Sequence, residues 1–130
     1  MRLALDTNAY KALGEGEQQL ADAIRRADSV GMPGIVLGEL WFGFVNGTRV
    51  RENSETLERF LATPRVHILQ LDDQTARTFG EIATQLRQRG VSIQQNDIWI
   101  AALCKQRGYA LATRDRGFQH VLGLEVLEVA

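Results

Sequence analysis

The chain opens with an apolar run, Leu3-Ala4-Leu5, that stops at Asp6-Thr7-Asn8, the pattern of a buried strand feeding a turn and a helix. Across residues 17–28 the apolar positions Leu20, Ala23, Ile24 and Ala27 recur at helical spacing beside Asp22, Arg25 and Arg26, which predicts a surface helix with one buried stripe. Residues 29–32 return as a short strand. Pro33 suits a helix start because its ring fixes φ near the helical value. Residues 34–45 then run almost wholly apolar apart from Glu39, which predicts a buried helix carrying one carboxylate. Asn46-Gly47 breaks this pattern, and residues 52–61 read as a second helix, closed by Pro64 and paired with the first as a hairpin. Val66, Ile68 and Leu69 mark a third strand. Residues 72–89 form a long amphipathic helix with Ala76, Phe79, Ile82, Ala83 and Leu86 inward and Gly90 as its stop. Asn96 is expected to cap a helix over residues 97–107 that Gly108 ends. A fourth strand over 109–113, a helical turn around Phe118 and a last strand over 124–129 complete the pattern. Strands alternating with helices on this spacing predict a parallel sheet of four to five strands covered on both faces. The expected fold is therefore a three-layer α/β/α domain, with residues 1–130 as one unit.

Composition narrows the class without naming a function. With 45% hydrophobic and 24% charged residues the chain reads as an ordinary globular protein, which sets aside disordered and fibrous alternatives. No apolar run reaches the roughly 18 residues of a membrane span, and the first residues lack a signal-peptide pattern, so a cytoplasmic protein with no membrane partner is expected. The single Cys104 sits in an apolar helical stretch, where a buried, unreactive thiol is expected. A net charge of -1 supplies no global basic field. Nucleic acid would have to be drawn by local basic patches or by a metal ion.

In open parallel sheets ligands bind beyond the carboxyl ends of the strands. Asp6 closes the first strand and Asp115 follows the fourth; Asp97 opens a helix whose preceding loop reaches the same edge, and Glu39 joins them if its helix passes there. Each has a structural alternative: Asp6 and Asp115 as helix caps, Asp97 as a complement to the helix dipole, Glu39 as a solvated helix residue. Four carboxylates in one place repel one another and force protonation unless a cation neutralises them. Mg²⁺ takes carboxylate and water oxygens and keeps several waters, so two or three direct acids suffice. Such an ion lets an acidic pocket receive a phosphodiester, polarises the phosphoryl oxygen and activates a water, which suits phosphodiester hydrolysis. His67 and His120 have no partner at zinc-ligand spacing and are expected to be structural or surface groups. No phosphate-binding glycine loop and no Gly-x-Ser-x-Gly is present. The arginines at 49, 51, 65, 87, 89, 107, 114 and 116 read largely as solvated faces, with a subset available to RNA phosphates.

Four segments, Leu5-Asp6-Thr7-Asn8, Gly38-Glu39-Leu40, Asn96-Asp97-Ile98-Trp99-Ile100-Ala101-Ala102 and Ala112-Thr113-Arg114-Asp115 with Phe118 after it, together resemble the PIN domain of VapC toxins. The resemblance spans most of the chain. It implies a Mg²⁺- or Mn²⁺-dependent endoribonuclease, the toxin of a toxin-antitoxin pair, with Asp6, Glu39, Asp97 and Asp115 as the acidic metal site and Asp6 and Asp97 foremost among the ligands. Thr7, Asn8 and Thr113 match the family's supporting polar positions, which orient carboxylates or waters. It also implies an RNA substrate, a homodimer, and a small antitoxin whose C-terminal segment blocks the acidic pocket, often with a basic side chain. Trp41, Phe42 and Phe44 are the expected antitoxin contacts, on an apolar groove that takes an amphipathic segment. Two departures are that Gln94-Gln95 stand where relatives often carry Pro, and Arg114 where many carry Asn; neither removes a carboxylate. The competing reading is a catalytically inactive PIN-like module that binds RNA or protein, and the presence of all four acids argues against it. A receiver-type phosphoacceptor domain wants an acidic pair before the first helix and a late Lys, and Leu71-Asp72-Asp73 matches its pattern only in part.

Overall fold

A computed structural model describes residues 1–130. Five strands, β1 (Arg2–Leu5), β2 (Ser29–Pro33), β3 (Val66–Leu69), β4 (Ala110–Thr113) and β5 (Val126–Glu128), pair in parallel in the order β3-β2-β1-β4-β5. Parallel neighbours cannot be joined by a tight turn, so each connection carries helix. The helices α1 (Thr7–Gly14) and α2 (Gln18–Arg26) link β1 to β2, α3 (Gly34–Val45) and α4 (Val50–Leu61) link β2 to β3, and α5 (Asp73–Gln88) and α6 (Gln95–Arg107) link β3 to β4. A short 3₁₀ helix, Arg116–His120, precedes β5. The two central strands are sealed on both faces, with Leu3, Ala4, Leu5, Leu111 and Ala112 fully buried. The expected layered parallel sheet is therefore present, with five strands and helices flanking it.

Strand order decides where a site can form. The chain builds outward from β1 to β2 and β3, then returns to the other side of β1 for β4 and β5. Connections leaving β1 and β4 thus run in opposite directions and leave a crevice at the carboxyl ends of this pair. Asp6 and the Thr113-Arg114-Asp115 turn stand at that crevice.

Local chemistry explains most boundaries. α6 ends at Gly108 with φ 74, the left-handed conformation that glycine adopts without a steric cost. Asp72 starts α5 through a capping box in which it accepts from Thr75 N at 3.0 Å while Thr75 Oγ1 accepts from Asp72 N at 3.0 Å. α5 and α6 pack closely, with the Phe79 and Trp99 rings stacked at 4.1 Å. Cys104 lies in α6 fully buried, and burial pushes its thiol up to about 12. No helix is long and apolar enough to cross a membrane.

Three expectations from the pattern are corrected. Ala76 is exposed, and the inward position in the first turn of α5 is Thr75, whose hydroxyl donates to Gln106 Oε1 at 2.5 Å and so draws that side chain under α6. α6 starts two residues early: Gln94 occupies the cap position without a side-chain hydrogen bond, and Asn96 lies inside the first turn. α3 is not a buried helix. Only Val36 and Leu40 are buried along it, whereas Trp41, Phe42 and Val45 are 39%, 73% and 66% exposed. A segment apolar on every side gives no amphipathic signal, so its sequence cannot tell which stripe meets the core.

Gly31 in β2 allows Leu69 and Tyr109 to close over the strand: a Cβ there would stand 2.8 Å from Leu69 Cδ1 and 2.9 Å from Tyr109 Cε2. Gly31→Ala should therefore destabilise the chain by about 1–3 kcal/mol in urea unfolding, and an unchanged midpoint would contradict this packing.

Candidate active site

β1 hands the chain to α1 at Asp6, a carboxylate only 6% exposed. Its Oδ1 accepts the Ala9 N–H at 2.8 Å, which caps α1. Its Oδ2 accepts the hydroxyl of Thr113 from the end of β4. The same Thr113 oxygen accepts the Asp115 N–H at 2.9 Å. One buried hydroxyl therefore ties the end of β1 to the turn after β4 and holds the two sides of the crevice in register. Asp115 in turn caps the 3₁₀ helix, its Oδ1 accepting Gly117 N–H at 2.8 Å. The capping alternatives for Asp6 and Asp115 are thus both real, and neither takes the residue away from the crevice.

Glu39 reaches the same place because α3 passes the sheet edge. The Thr7 hydroxyl in the first turn of α1 donates to Glu39 Oε1 at 2.6 Å, fixing a half-buried side chain on an otherwise apolar helix. Asp97 arrives in the first turn of α6, half-buried, and its carboxylate has no hydrogen-bond donor from the protein. A pocket of about 210 Å³ is lined by Asp6, Thr7, Asn8, Glu39, Gln94, Asp97, Ile100 and Asp115. All four expected carboxylates are brought together there. Thr7 and Thr113 hold carboxylates directly, whereas Asn8 lines the pocket without a bond to any of them. Gln94 entered the sequence reading only as a departure from the family pattern and Ile100 only within a motif segment, neither as a site residue, although they stand three residues before and after Asp97, the spacing that shares a helix face. His67 and His120 are exposed and outside the pocket, and Trp41, Phe42 and Phe44 also lie elsewhere.

The electrostatics follow from this arrangement. Burial raises the Asp6 carboxyl above its ordinary range; the bonds from Thr113 and Ala9 pull it back, and the charges of Asp115 and Glu39 push it up again. Asp97 has no such relief. Burial first, then repulsion from Asp115, Glu39 and Asp6, pushes it up to about 6. No three His, Cys, Asp or Glu side chains converge closely enough to enclose an ion by themselves. Three of the four acids are tethered to separate donors, and an ion that keeps several waters needs only one or two of them as direct ligands.

Residues 3–124 match the family model of the PIN domain, and the chain belongs to that family. Among characterised relatives it is 26% identical over 125 residues to Ribonuclease VapC5 of Mycobacterium tuberculosis, covering 96% of this chain and 91% of that one. It is 29% identical over 127 residues to Ribonuclease VapC2 of Haemophilus influenzae, with 95% of each covered. The fold superposes on VapBC2 from Rickettsia felis, solved bound to a promoter DNA fragment, with TM-score 0.87, 24% identity and 100% of both chains covered. It superposes on VapBC-1 from nontypeable Haemophilus influenzae with TM-score 0.86, 23% identity and 98% of both chains covered.

Because the folded-state value of Asp97 lies above its ordinary 3.8, the folded chain holds an extra proton between 3.8 and about 6. Stability should fall as pH rises through that window. In EDTA, Asp97→Asn should therefore raise Tm more at about pH 7.5 than at about pH 4. A gain that is the same at both values would contradict the repulsion described for Asp97.

Proposed function

We propose that this protein is a divalent-metal-dependent endoribonuclease, the toxin of a toxin-antitoxin pair, working as a single PIN domain and hydrolysing RNA phosphodiester bonds at the four-carboxylate pocket. The observation that carries the reading is the gathering of Asp6, Glu39, Asp97 and Asp115 in one small pocket with Asp97 left unpaired and pushed up to about 6. An all-oxygen donor set of this kind fits Mg²⁺ or Mn²⁺ and does not fit zinc, which favours nitrogen and sulfur. The ribonuclease names of the relatives support the same activity.

Asp6, Glu39, Asp97 and Asp115 would hold the ion, with Asp6 and Asp97 foremost and the others able to act through water. When bound, the ion neutralises the pocket, polarises a phosphoryl oxygen and activates water for attack. The remaining work belongs to the chain. Thr113 aims the Asp6 carboxylate by donating to it and offsets part of the rise that burial causes, and Thr7 aims Glu39 by donating to Oε1. Asn8 adds a neutral amide at the rim. Asp97 has no donor from the protein, so its charge is the one left for the ion to compensate.

The antitoxin reading has its own surface. Tyr10, Leu13, Phe44 and Phe60 line a groove of about 500 Å³ contributed by α1, α3 and α4, and Trp41 packs edge-on against Phe44 at 5.6 Å. We assign Trp41, Phe42 and Phe44 to the antitoxin, Phe44 within this groove and the exposed Trp41 and Phe42 outside its lining on the same helix, while a basic side chain enters the acidic pocket. A homodimer completes the reading, and sedimentation of the purified chain tests it.

Purified protein should cleave total cellular RNA with Mg²⁺ or Mn²⁺, stop in EDTA, and lose at least about 100-fold in rate as Asp97→Asn. Equal cleavage by both forms would mean a contaminant, and none by either would favour the binding module. Phe42→Ala or Trp41→Ala should weaken capture of the co-encoded antitoxin by about tenfold while the circular dichroism spectrum is retained. Unchanged capture would remove the groove assignment.

A further inference from the structure

An acidic pocket poses a problem for a polyanionic substrate that a single divalent ion does not fully solve. The ion neutralises charge at the phosphate being cut, yet the phosphates on either side still approach four carboxylates, and no basic side chain lines the pocket. A protein cation just outside the pocket would compensate them. Several arginines are already engaged. Arg49, Arg51, Arg107 and Arg116 face carboxylates of Glu52, Glu55, Asp72 and Glu128. Arg65 and Arg89 donate to the backbone carbonyls of Ala27 and His120. Arg114 likewise donates to a backbone carbonyl, that of Ala130, and is set apart by its place in the chain. It sits between Thr113, which holds Asp6, and Asp115, which lines the pocket, and it is exposed.

Its surroundings are shaped to receive something. At the carboxyl ends of β4 and β5 a cleft of about 470 Å³ is lined by Gln19, Arg114, Arg116, Glu128, Val129 and Ala130, and Arg114 adjoins the pocket residue Asp115 in the chain. Arg114 Nε donates to the Ala130 carbonyl at 3.0 Å, which anchors the guanidinium by one edge and leaves its two terminal nitrogens unpaired. Arg116 carries part of its charge into a pair with Glu128 at 3.3 Å, so Arg114 is the arginine of this cleft without a side-chain carboxylate against it. The backbone that carries it is fixed as well, because the Asp115 N–H is bound to Thr113 Oγ1 and Val129 N–H to the Thr113 carbonyl at 2.9 Å. An anchored guanidinium with two open donors is the geometry that grips a phosphate through paired N–H bonds.

We infer that this cleft binds the phosphate of the nucleotide next to the scissile bond, with Arg114 as its contact. The inference rests on the ribonuclease reading and extends it by giving the RNA backbone a path from the acidic pocket across the ends of β4 and β5. A backbone contact carries no base information, so Arg114 sets affinity and register for any sequence.

The test uses a fluorescent mixed-sequence oligoribonucleotide bound to the full chain carrying Asp97→Asn, followed by anisotropy across a salt series. Adding Arg114→Gln should weaken binding about 3- to 10-fold at low salt and reduce the slope of log affinity against log salt by about 0.7, the value for one phosphate contact on a single strand. Arg114→Lys should restore the slope, and Arg87→Gln, an exposed arginine of α5 distant in the chain, should leave it unchanged. If Arg114→Gln moves affinity and slope no more than Arg87→Gln does, the phosphate site is wrong even where the wild-type chain cleaves RNA. If the wild-type chain does not cleave RNA and the Asp97→Asn chain does not bind the oligonucleotide, the ribonuclease reading falls and this site with it.

Discussion

Four negative charges around one crevice are the constraint on which the rest of the structure turns. Like charges in a half-buried pocket drive one another toward protonation unless each is given donors or a shared counter-ion. Three of the four acids here have donors: Asp6 from Ala9 and Thr113, Glu39 from Thr7, Asp115 from Gly117. Asp97 has none and is pushed up to about 6. The fold therefore holds the pocket in shape while leaving one charge unsatisfied, and that charge gains most from a cation.

The sheet makes this possible at modest cost. Placing β1 beside β4 puts the reversal of strand order at the centre of the sheet, where both strands are sealed by neighbours and helices. A buried Asp6 would be costly on an edge strand open to movement. Here Thr113 crosses from β4 to meet it and also receives the Asp115 N–H, so one side chain couples both rims of the crevice. Helix starts deliver the other two groups: Asp97 in the first turn of α6 and Thr7 in the first turn of α1, which in turn fixes Glu39. The polar side of the molecule is thus assembled from strand ends and helix starts, while α3, α4 and the far end of α1 leave an apolar groove elsewhere.

Much of this was legible in the residues themselves. Strand-to-turn transitions at Leu5-Asp6 and at Thr113 placed two acids at the right edge, because an apolar run ending in a polar residue marks where a buried strand emerges. The boundaries of α3 and the stop at Gly108 also followed from Pro and Gly chemistry. Tertiary contacts lay beyond that reading. Nothing local distinguishes Thr75 from Ala76 as the inward residue, since the choice depends on Gln106 from another helix. The wholly apolar α3 carried no stripe, so its exposed face at Trp41 and Phe42 emerged only with the packing. Gln94 was noted only as a departure from the family pattern and not as a site residue, because lining a pocket is not a property of one segment.

Membership of the PIN domain family agrees with a site built from acids at strand ends and helix starts. The central claim is narrower: the pocket is charge-unsatisfied until a divalent ion enters, and Asp97 is where the deficit is felt. Calorimetric titration of Mn²⁺ into the protein at about pH 6, repeated in buffers of different ionisation enthalpy, tests it most directly. Binding should release close to half a proton per site, because Asp97 is about half protonated there and is drawn to its charged form, and Asp97→Asn should bind more weakly without that release. Tight binding with no proton released, or the same release in Asp97→Asn, would contradict the account.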